Sequence, residues 1–384
     1  MGQGPTGTTL TNARLLTPHG VRAGWLRAED GRINALGTGE APSGGPPELD
    51  LGGQWVMPGC VDIHIHGGAG AAFTDADPER ALEIVRFNRG HGVTTVVGGL
   101  VAAAPRDTLD QIAALAEVAD AGELAGIYLE GPYIAKSKCG AHDPALLREP
   151  DLAEFAAMLK AGRGHIRMIT VAPELPGALE LIRAAASEDV VAAVGHTEAT
   201  YDQTRAAFDA GATVATHIYN QMRPLHHREP GPIAAALNDE RVTVELINDG
   251  VHVHPGAAAL VFASAGAERV ALVTDAMAAT GLGDGEYTLG RLRVRVVDGQ
   301  ARIPETGQIA SSTIVLPDAV RRAVHAVGVR LETAAHAATA VPARALNLPH
   351  VGSLTAGNRA DLVVLDDKLE VTAVMHRGAW IREP

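Results

Sequence analysis

A chain of 384 residues with 46% hydrophobic content is long enough for one large domain or for a large domain with a small partner. Its 32 basic against 45 acidic residues give a formal charge of −13, which disfavours nucleic acid as a partner and obliges any anionic substrate to find a local cationic pocket. No apolar run reaches the ~18 residues of a membrane span, the N-terminus lacks a basic segment followed by an apolar core, and the two cysteines, Cys60 and Cys139, make no disulfide framework, so the expectation is a cytoplasmic protein.

In chain order, "TTLTNARLLTP" and "GWLRAEDGRINALG" read as short strands, with "EDG" marking a hairpin and "APSGGPP" a loop. From there, apolar strand-like runs alternate with helical patterns. The runs are "VMPGCVDIHIHG", "VTTVVGGLV", "LAGIYLEGPY", "IRMITVAPE", "VVAAVGHTEA", "ATVATHIYN", "RVTVELINDG" and "RVALVTDAM". Between them, Leu109, Ile112, Ala116 and Ala119 fall at helical spacing, as do Leu152, Phe155, Ala156 and Leu159. Eight buried parallel strands with helical crossovers predict an α/β fold of the (β/α)8 TIM-like barrel type. The connection after Asn220, "QMRPLHHREPGP", is long and irregular, as functional loops often are. The tail "ADLVVLDDKLEVTAVMHRGAW" gives two more strand-like runs and resembles the head. The expected organisation is a barrel over residues 57–350 and a small, discontinuous β-sandwich domain from residues 1–56 and 351–384.

The polar residues gather where strands end. In "VDIHIHGG" a strand places His64 and His66 on one face. Glu130 ends the third run, His196 the fifth, His217 the sixth and Asp275 the eighth, each beside a glycine or the start of a turn. Singly, each has an ordinary reading: a lone histidine is more often hydrogen-bonded than metal-bound, and a lone carboxylate can cap a helix. Six such groups at the rim where barrel chemistry sits are hard to obtain by accident. His19, His91, His165, His325, His336, His350 and His376 lie away from predicted strand ends and read as background. Imidazoles and carboxylates together suit one or two divalent ions, Zn²⁺ first, with Fe²⁺, Mn²⁺, Co²⁺ or Cd²⁺ as alternatives. A bound ion lowers the pKa of its water from about 15.7 toward ~7. Asp275 would then carry a proton from water to a leaving amine, while the ion or a nearby donor stabilises the tetrahedral oxyanion. That chemistry is amide hydrolysis.

At this point the chain resembles the metal-dependent amidohydrolases, with their first-strand HxH, fifth- and sixth-strand histidines and eighth-strand aspartate. The third-strand glutamate in "LEGPYI…GAH", with "GHTEA", "THIYN", "REPG", "NDGVHV" and "TDAMAATG", narrows the likeness to the N-acetylglucosamine-6-phosphate deacetylase family. The likeness runs from "MPGCVDIHIHG" to "GSLTAGNRADLVVLD". It implies that Glu130, His196 and His217 hold the principal metal and that Asp275 is the catalytic acid/base. It further implies that His142 contacts the acetamide carbonyl and that His252 contacts the sugar. Arg228 would bind the sugar phosphate from the second subunit of a homodimer, with the backbone N–H groups of Asn220 and Gln221 meeting the same phosphate. Three features depart from some relatives. The HxH pair is intact, leaving room for a second metal bridged by Glu130; Gln221 replaces a usual alanine; and Cys139 adds a loop thiol near His142.

The residues also carry a physical argument for a phosphosugar. "MRPLHHREP" gathers Arg223, His226, His227 and Arg228 in one loop, and guanidinium groups suit bidentate phosphate contacts. Alternatives are an N-acetylgalactosamine 6-phosphate or cyclic-amide substrate, or a non-catalytic barrel scaffold. A cyclic-amide hydrolase would often carry a metal-bridging lysine, and none stands at a predicted strand end.

Overall fold

The computed structural model describes residues 7–384; residues 1–6, which the sequence assigns to the small β domain, lie outside the described residues. Strand Cys60–Ile65 opens a sheet of eight parallel strands. It continues in chain order through Val93–Val101, Gly126–Glu130, Ile166–Val171, Val191–Val194, Val214–Ala215, Thr243–Ile247 and Val270–Val273, each strand beside its predecessor. The first three are buried along their whole length, which is why they read as continuous apolar runs. The sheet closes beyond the ends of its first and last strands. There the Asp275 N–H donates to the His64 carbonyl at 2.8 Å, and the N–H groups of His66 and Gly67 donate to the Ala276 carbonyl at 2.8 and 3.0 Å. Barrel closure and the predicted site therefore share the same residues.

Two helices stand where the periodicity places them, Pro105–Asp120 and Leu152–Gly162. The first buries Ile112, Ala116 and Ala119. The second corrects the expected face: Phe155, Met158 and Gly162 point inward, while Leu152 and Ala156 face solvent. Its N-cap, Asp151, accepts from the N–H groups of Ala153 and Glu154 at 2.7 and 3.0 Å, which keeps the first turn at the surface. A short helix, Ala340–Ala345, packs against the first and eighth strands; its Val341, with Leu346, joins Tyr128, Met168 and Val214 in one apolar cluster.

Head and tail meet in a second eight-stranded sheet. Trp55–Pro58 is its seam, pairing in parallel with Arg14 and Leu15 and antiparallel with Leu362–Leu365. The predicted hairpin forms, Gly20–Glu29 with Arg32–Thr38 across Asp30–Gly31, and the two strand-like runs of the tail pair antiparallel as Leu362–Leu365 with Val371–His376. Leu10, Leu26, Ile33, Val56, Leu362 and Met375 give this sheet its own core.

One element was not separated in the sequence. After the eighth strand, Gly285–Leu289, Leu292–Val297, Gln300–Arg302 and Ile309–Ser311 form a four-stranded antiparallel sheet. In "LRVRVV" the pattern is strict, with Arg293 and Arg295 exposed while Val294 and Val296 are buried. This insertion leans over the barrel mouth, and its Leu289, Gln308, Ile309 and Ala310 reach the cleft described next.

Candidate active site

Glu130 is the last residue of the third barrel strand, and His196, His217 and Asp275 each lie two residues past theirs. The three residues past strand ends have positive φ, +47°, +26° and +49°, as do Tyr219 at +77° and Gln221 at +50°. Side-chain-bearing residues rarely adopt this conformation, and it concentrates at functional sites where surrounding contacts hold it in place. Here it turns the chain sharply at the rim and aims the side chains at the barrel axis.

Glu130 is the hub. Its Oε1 lies 3.0 Å from His196 Nε2, 3.0 Å from His217 Nε2 and 3.5 Å from His64 Nε2. Its Oε2 lies 3.1 Å from His66 Nε2 and 3.3 Å from His142 Nε2. Asp275 Oδ1 is 3.3 Å from His66 Nε2 and 3.8 Å from His64 Nε2. Ligand atoms of His64, His66 and Asp275 all fall within 4.8 Å of one another, as do those of Glu130, His142 and His196. All seven side chains are buried.

The far nitrogen of each ring decides what the near one can do. His66 Nδ1 donates to the Gly99 carbonyl at 3.2 Å, His196 Nδ1 to the Lys138 carbonyl at 2.6 Å and His64 Nδ1 to Glu245 Oε2 at 2.9 Å. In the neutral ring each therefore presents an Nε2 lone pair to the centre, and the buried Nε2 atoms of His64 and His66 have no hydrogen-bond partner. Orphaned lone pairs converging on carboxylates fit a divalent cation and little else. His142 is the opposite case. Its Nδ1 accepts from the Ala102 N–H at 3.2 Å, so the neutral ring carries its proton on Nε2 and is a donor, although it lies within ligand distance of Glu130 and His196. Gly99 is required by this packing: a Cβ there would sit 2.8 Å from the Ile65 carbonyl oxygen and 2.9 Å from His66 Nδ1.

Electrostatics assign the protons. Burial alone would raise the Glu130 carboxyl, yet the charge of His64 and the His142, His196 and His217 rings against its two oxygens hold it well below the usual carboxylate range. Asp275 is likewise raised by burial but lowered on balance by His64 and His66, so it is a carboxylate able to take a proton. Burial pushes His142 down despite Glu130, which keeps that ring neutral. For His66, burial is outweighed by Asp275 and Glu130, and its pKa rises to about 9, so a cation entering there displaces a proton.

Around this centre lies a cleft of about 180 Å³ that opens to solvent. Asn220, Gln221 and His252 line it, as the sequence reading expects. His252 is held by Asp249, whose Oδ2 accepts from Nδ1 at 2.7 Å. The Asn220 N–H donates to the His217 carbonyl at 3.1 Å. Arg228 does not line the cleft of its own chain; it is exposed, and its Nη1 donates to His227 Nε2 at 2.8 Å. Cys139 packs beside Ile134 and Leu147 rather than into the cleft, and burial raises its thiol, so it is not a thiolate. Its carbonyl does accept the His142 N–H at 3.0 Å.

Sequence reasoning missed two fully buried carboxylates beneath the rim. Glu245 braces His64 and also accepts the His217 backbone N–H at 3.1 Å. Asp62, pushed up to about 7 by burial, accepts the Thr274 hydroxyl at 2.6 Å. The available sign was a carboxylate inside an apolar strand run, in "VTVELIND" and "GCVDIHI".

Comparison with known proteins agrees with this geometry. The profile of the Amidohydrolase family matches residues 55–381. N-acetylgalactosamine-6-phosphate deacetylase of Escherichia coli O157:H7 is 40% identical over 374 residues, 95% of this chain and 97% of that protein. N-acetylglucosamine-6-phosphate deacetylase of Vibrio furnissii is 35% identical over 87% of this chain and 84% of its own. A solved structure of N-acetyl-D-glucosamine-6-phosphate deacetylase from Mycobacterium smegmatis, in complex with N-acetyl-D-glucosamine-6-phosphate, superposes with a TM-score of 0.95. It is 47% identical, covering 99% of this chain and 100% of that one. With its closed barrel, its rim of histidines and carboxylates suited to a divalent cation, and a profile match over most of its length, the chain belongs to the amidohydrolase family.

Proposed function

We propose that this chain is a metal-dependent deacetylase that hydrolyses N-acetylglucosamine 6-phosphate to glucosamine 6-phosphate and acetate. The observation that carries the reading is the division of labour among buried side chains. Three rings, in their neutral form, present lone pairs beside Glu130, His142 presents an N–H, and Asp275 is an ionised carboxylate 3.3 Å from His66. Zinc is the ion we assign, one or two per chain, with Glu130, His196 and His217 as one set of ligands and His64, His66 and Asp275 as the other. When bound it supplies Lewis-acid polarisation and a water of lowered pKa.

The chain's own groups do the rest. Asp275 takes a proton from the attacking water and delivers it to the amine as the C–N bond breaks. His142 donates its Nε2–H to the acetamide oxygen as charge builds there. His252, fixed by Asp249, holds the sugar. The 6-phosphate meets the Gln221 N–H and Arg228, with Arg228 supplied by the partner in a homodimer; its exposure on its own chain supports that placement. Among the described residues no helix is long and apolar enough to cross a membrane, and we place the enzyme in the cytoplasm. We divide the chain into the catalytic barrel, residues 57–350, and a small β domain of residues 1–56 and 351–384.

A second reading has a specific basis: the 40% identical relative is named for the galactosamine epimer. Acetate release from both epimers, each with and without the 6-phosphate, tests the assignment. Faster turnover of the phosphorylated gluco substrate is expected. Preference for the galacto epimer would move the assignment to the second reading, and indifference to the phosphate would remove phosphosugar from it.

A further inference from the structure

Glu245 has no part in the function just proposed, yet it is the most unusually placed carboxylate in the molecule. It lies mid-strand in the seventh barrel strand and is wholly inaccessible to solvent. Its Oε2 receives two hydrogen bonds, from His64 Nδ1 at 2.9 Å and from the His217 backbone N–H at 3.1 Å, while its Oε1 has no partner. One oxygen thus joins a ring on the first strand to the turn after the sixth. Among the described residues its ion-pair partner is His64, and no lysine or arginine pairs with it.

We propose that Glu245 is a positioning residue that makes the His64, His66 and Asp275 group a cation site in its own right; this rests on the metal-dependent reading above. Two observations carry it. The first is orientation. His66 and His196 are braced by main-chain carbonyls, which the backbone fixes, whereas His64 is braced only by this one side chain. With Glu245 in place, the His64 Nε2 lone pair faces the gap between Glu130 Oε1 at 3.5 Å and Asp275 Oδ1 at 3.8 Å. The second is charge: Glu245 is a third buried carboxylate beside Glu130 and Asp275, and its one ion-pair partner among the described residues is the His64 ring at 2.9 Å, so its charge acts on a cation through that ring. A carboxylate behind a ligating imidazole also raises the basicity of that ligand, and losing such a partner typically weakens metal affinity about 10–100-fold.

The test counts metal rather than turnover. Wild type, Glu245→Gln, Glu245→Leu and His64→Gln are stripped, reconstituted with Mn²⁺, dialysed and assayed for metal per chain, with the paramagnetic resonance spectrum reporting whether two ions are coupled. Wild type is expected to retain two ions and a coupled spectrum. Glu245→Gln should keep one ion tightly and bind the second at least tenfold more weakly, and Glu245→Leu should keep only one. Added to His64→Gln, Glu245→Gln should change the metal count no further, since a residue acting through His64 has nothing left to position. A general bracing role through the His217 N–H would instead produce further loss in that background and would overturn the proposal. Two ions held by Glu245→Gln within twofold of wild type would also overturn it. So would a wild type that retains only one ion, and that outcome leaves the deacetylase reading standing. A wild type that binds no ion at all would overturn both.

Discussion

Replacing His142 by asparagine separates two roles that the structure gives to the two sides of one ring. The Nδ1 edge accepts the Ala102 N–H at 3.2 Å, and the Nε2 edge lies 3.3 Å from Glu130 and faces the cleft. An asparagine amide oxygen can replace the Nδ1 acceptor, whereas nothing in it reaches the Nε2 position. The buried Ala102 N–H therefore stays paired, and the penalty of about 1–3 kcal/mol for orphaning it is avoided. What is lost is one donor to the developing oxyanion, worth about 10²–10³ in kcat, or roughly 3–4 kcal/mol of barrier. His142→Asn should thus fold normally, keep its metal and show kcat reduced by about that factor with KM little changed. His142→Gln, whose Nε2–H reaches further, should recover about tenfold of it. The assay is initial-rate acetate release from the phosphosugar, with kcat and KM resolved and metal content measured alongside. A kcat for His142→Asn within threefold of wild type would refute the reasoning, because the ring would then not be donating in the transition state.

Three further outcomes follow from other contacts. Asp275→Asn should retain metal through Glu130, His196 and His217 while kcat falls by orders of magnitude; near-native turnover would remove Asp275 as the proton carrier. Arg228→Ala should raise KM for the phosphosugar far more than for the unphosphorylated sugar, and equal effects on the two would take Arg228 out of phosphate recognition. In the small sheet, burial works to raise Asp361, but His376 and Arg359 hold its pKa below the ordinary carboxylate value, and it also accepts the Arg377 N–H at 2.8 Å. A depressed folded-state pKa means stability that is present above the unfolded pKa of about 3.9 and lost as pH falls through the folded value. Asp361→Asn should cost about 2 kcal/mol at pH 7, and the gap to wild type should close below about pH 4; a gap constant from pH 7 to pH 3 in denaturant melts would contradict this.

Much of the barrel was legible because its strands are buried on both faces, so "VTTVVGGLV" and "GIYLE" stand out as unbroken apolar runs. The six rim residues were legible because they lie within two residues of where their strands end, which is a one-dimensional signal. Three things were not. The inserted sheet over residues 285–311 has the alternation of a surface β-structure, but nothing local says that Gln308 and Ile309 hang over a site built elsewhere. The core face of Leu152–Gly162 was rotated because its first turn is tied off by Asp151, so Leu152 remains exposed. Glu245 was passed over because a carboxylate within a strand identifies no partner until the fold brings His64, 181 residues away in sequence, to 2.9 Å. Which ring is a lone-pair donor and which an N–H donor was beyond the sequence for the same reason. It depends on what the far nitrogen touches, and for His142 and His196 those partners, Ala102 and Lys138, lie 40 and 58 residues away.

The central claim is that Glu130 and the histidines around it exist to hold a divalent ion without which the acetamide bond is not cleaved. Acetate release from N-acetylglucosamine 6-phosphate, measured on one protein sample before stripping, after chelation and after return of Zn²⁺, tests it most directly. The expected result is loss of nearly all activity on chelation, with the fold intact by circular dichroism, and recovery in proportion to metal bound up to a whole number of ions per chain. Undiminished deacetylation by protein shown to be metal-free would contradict it.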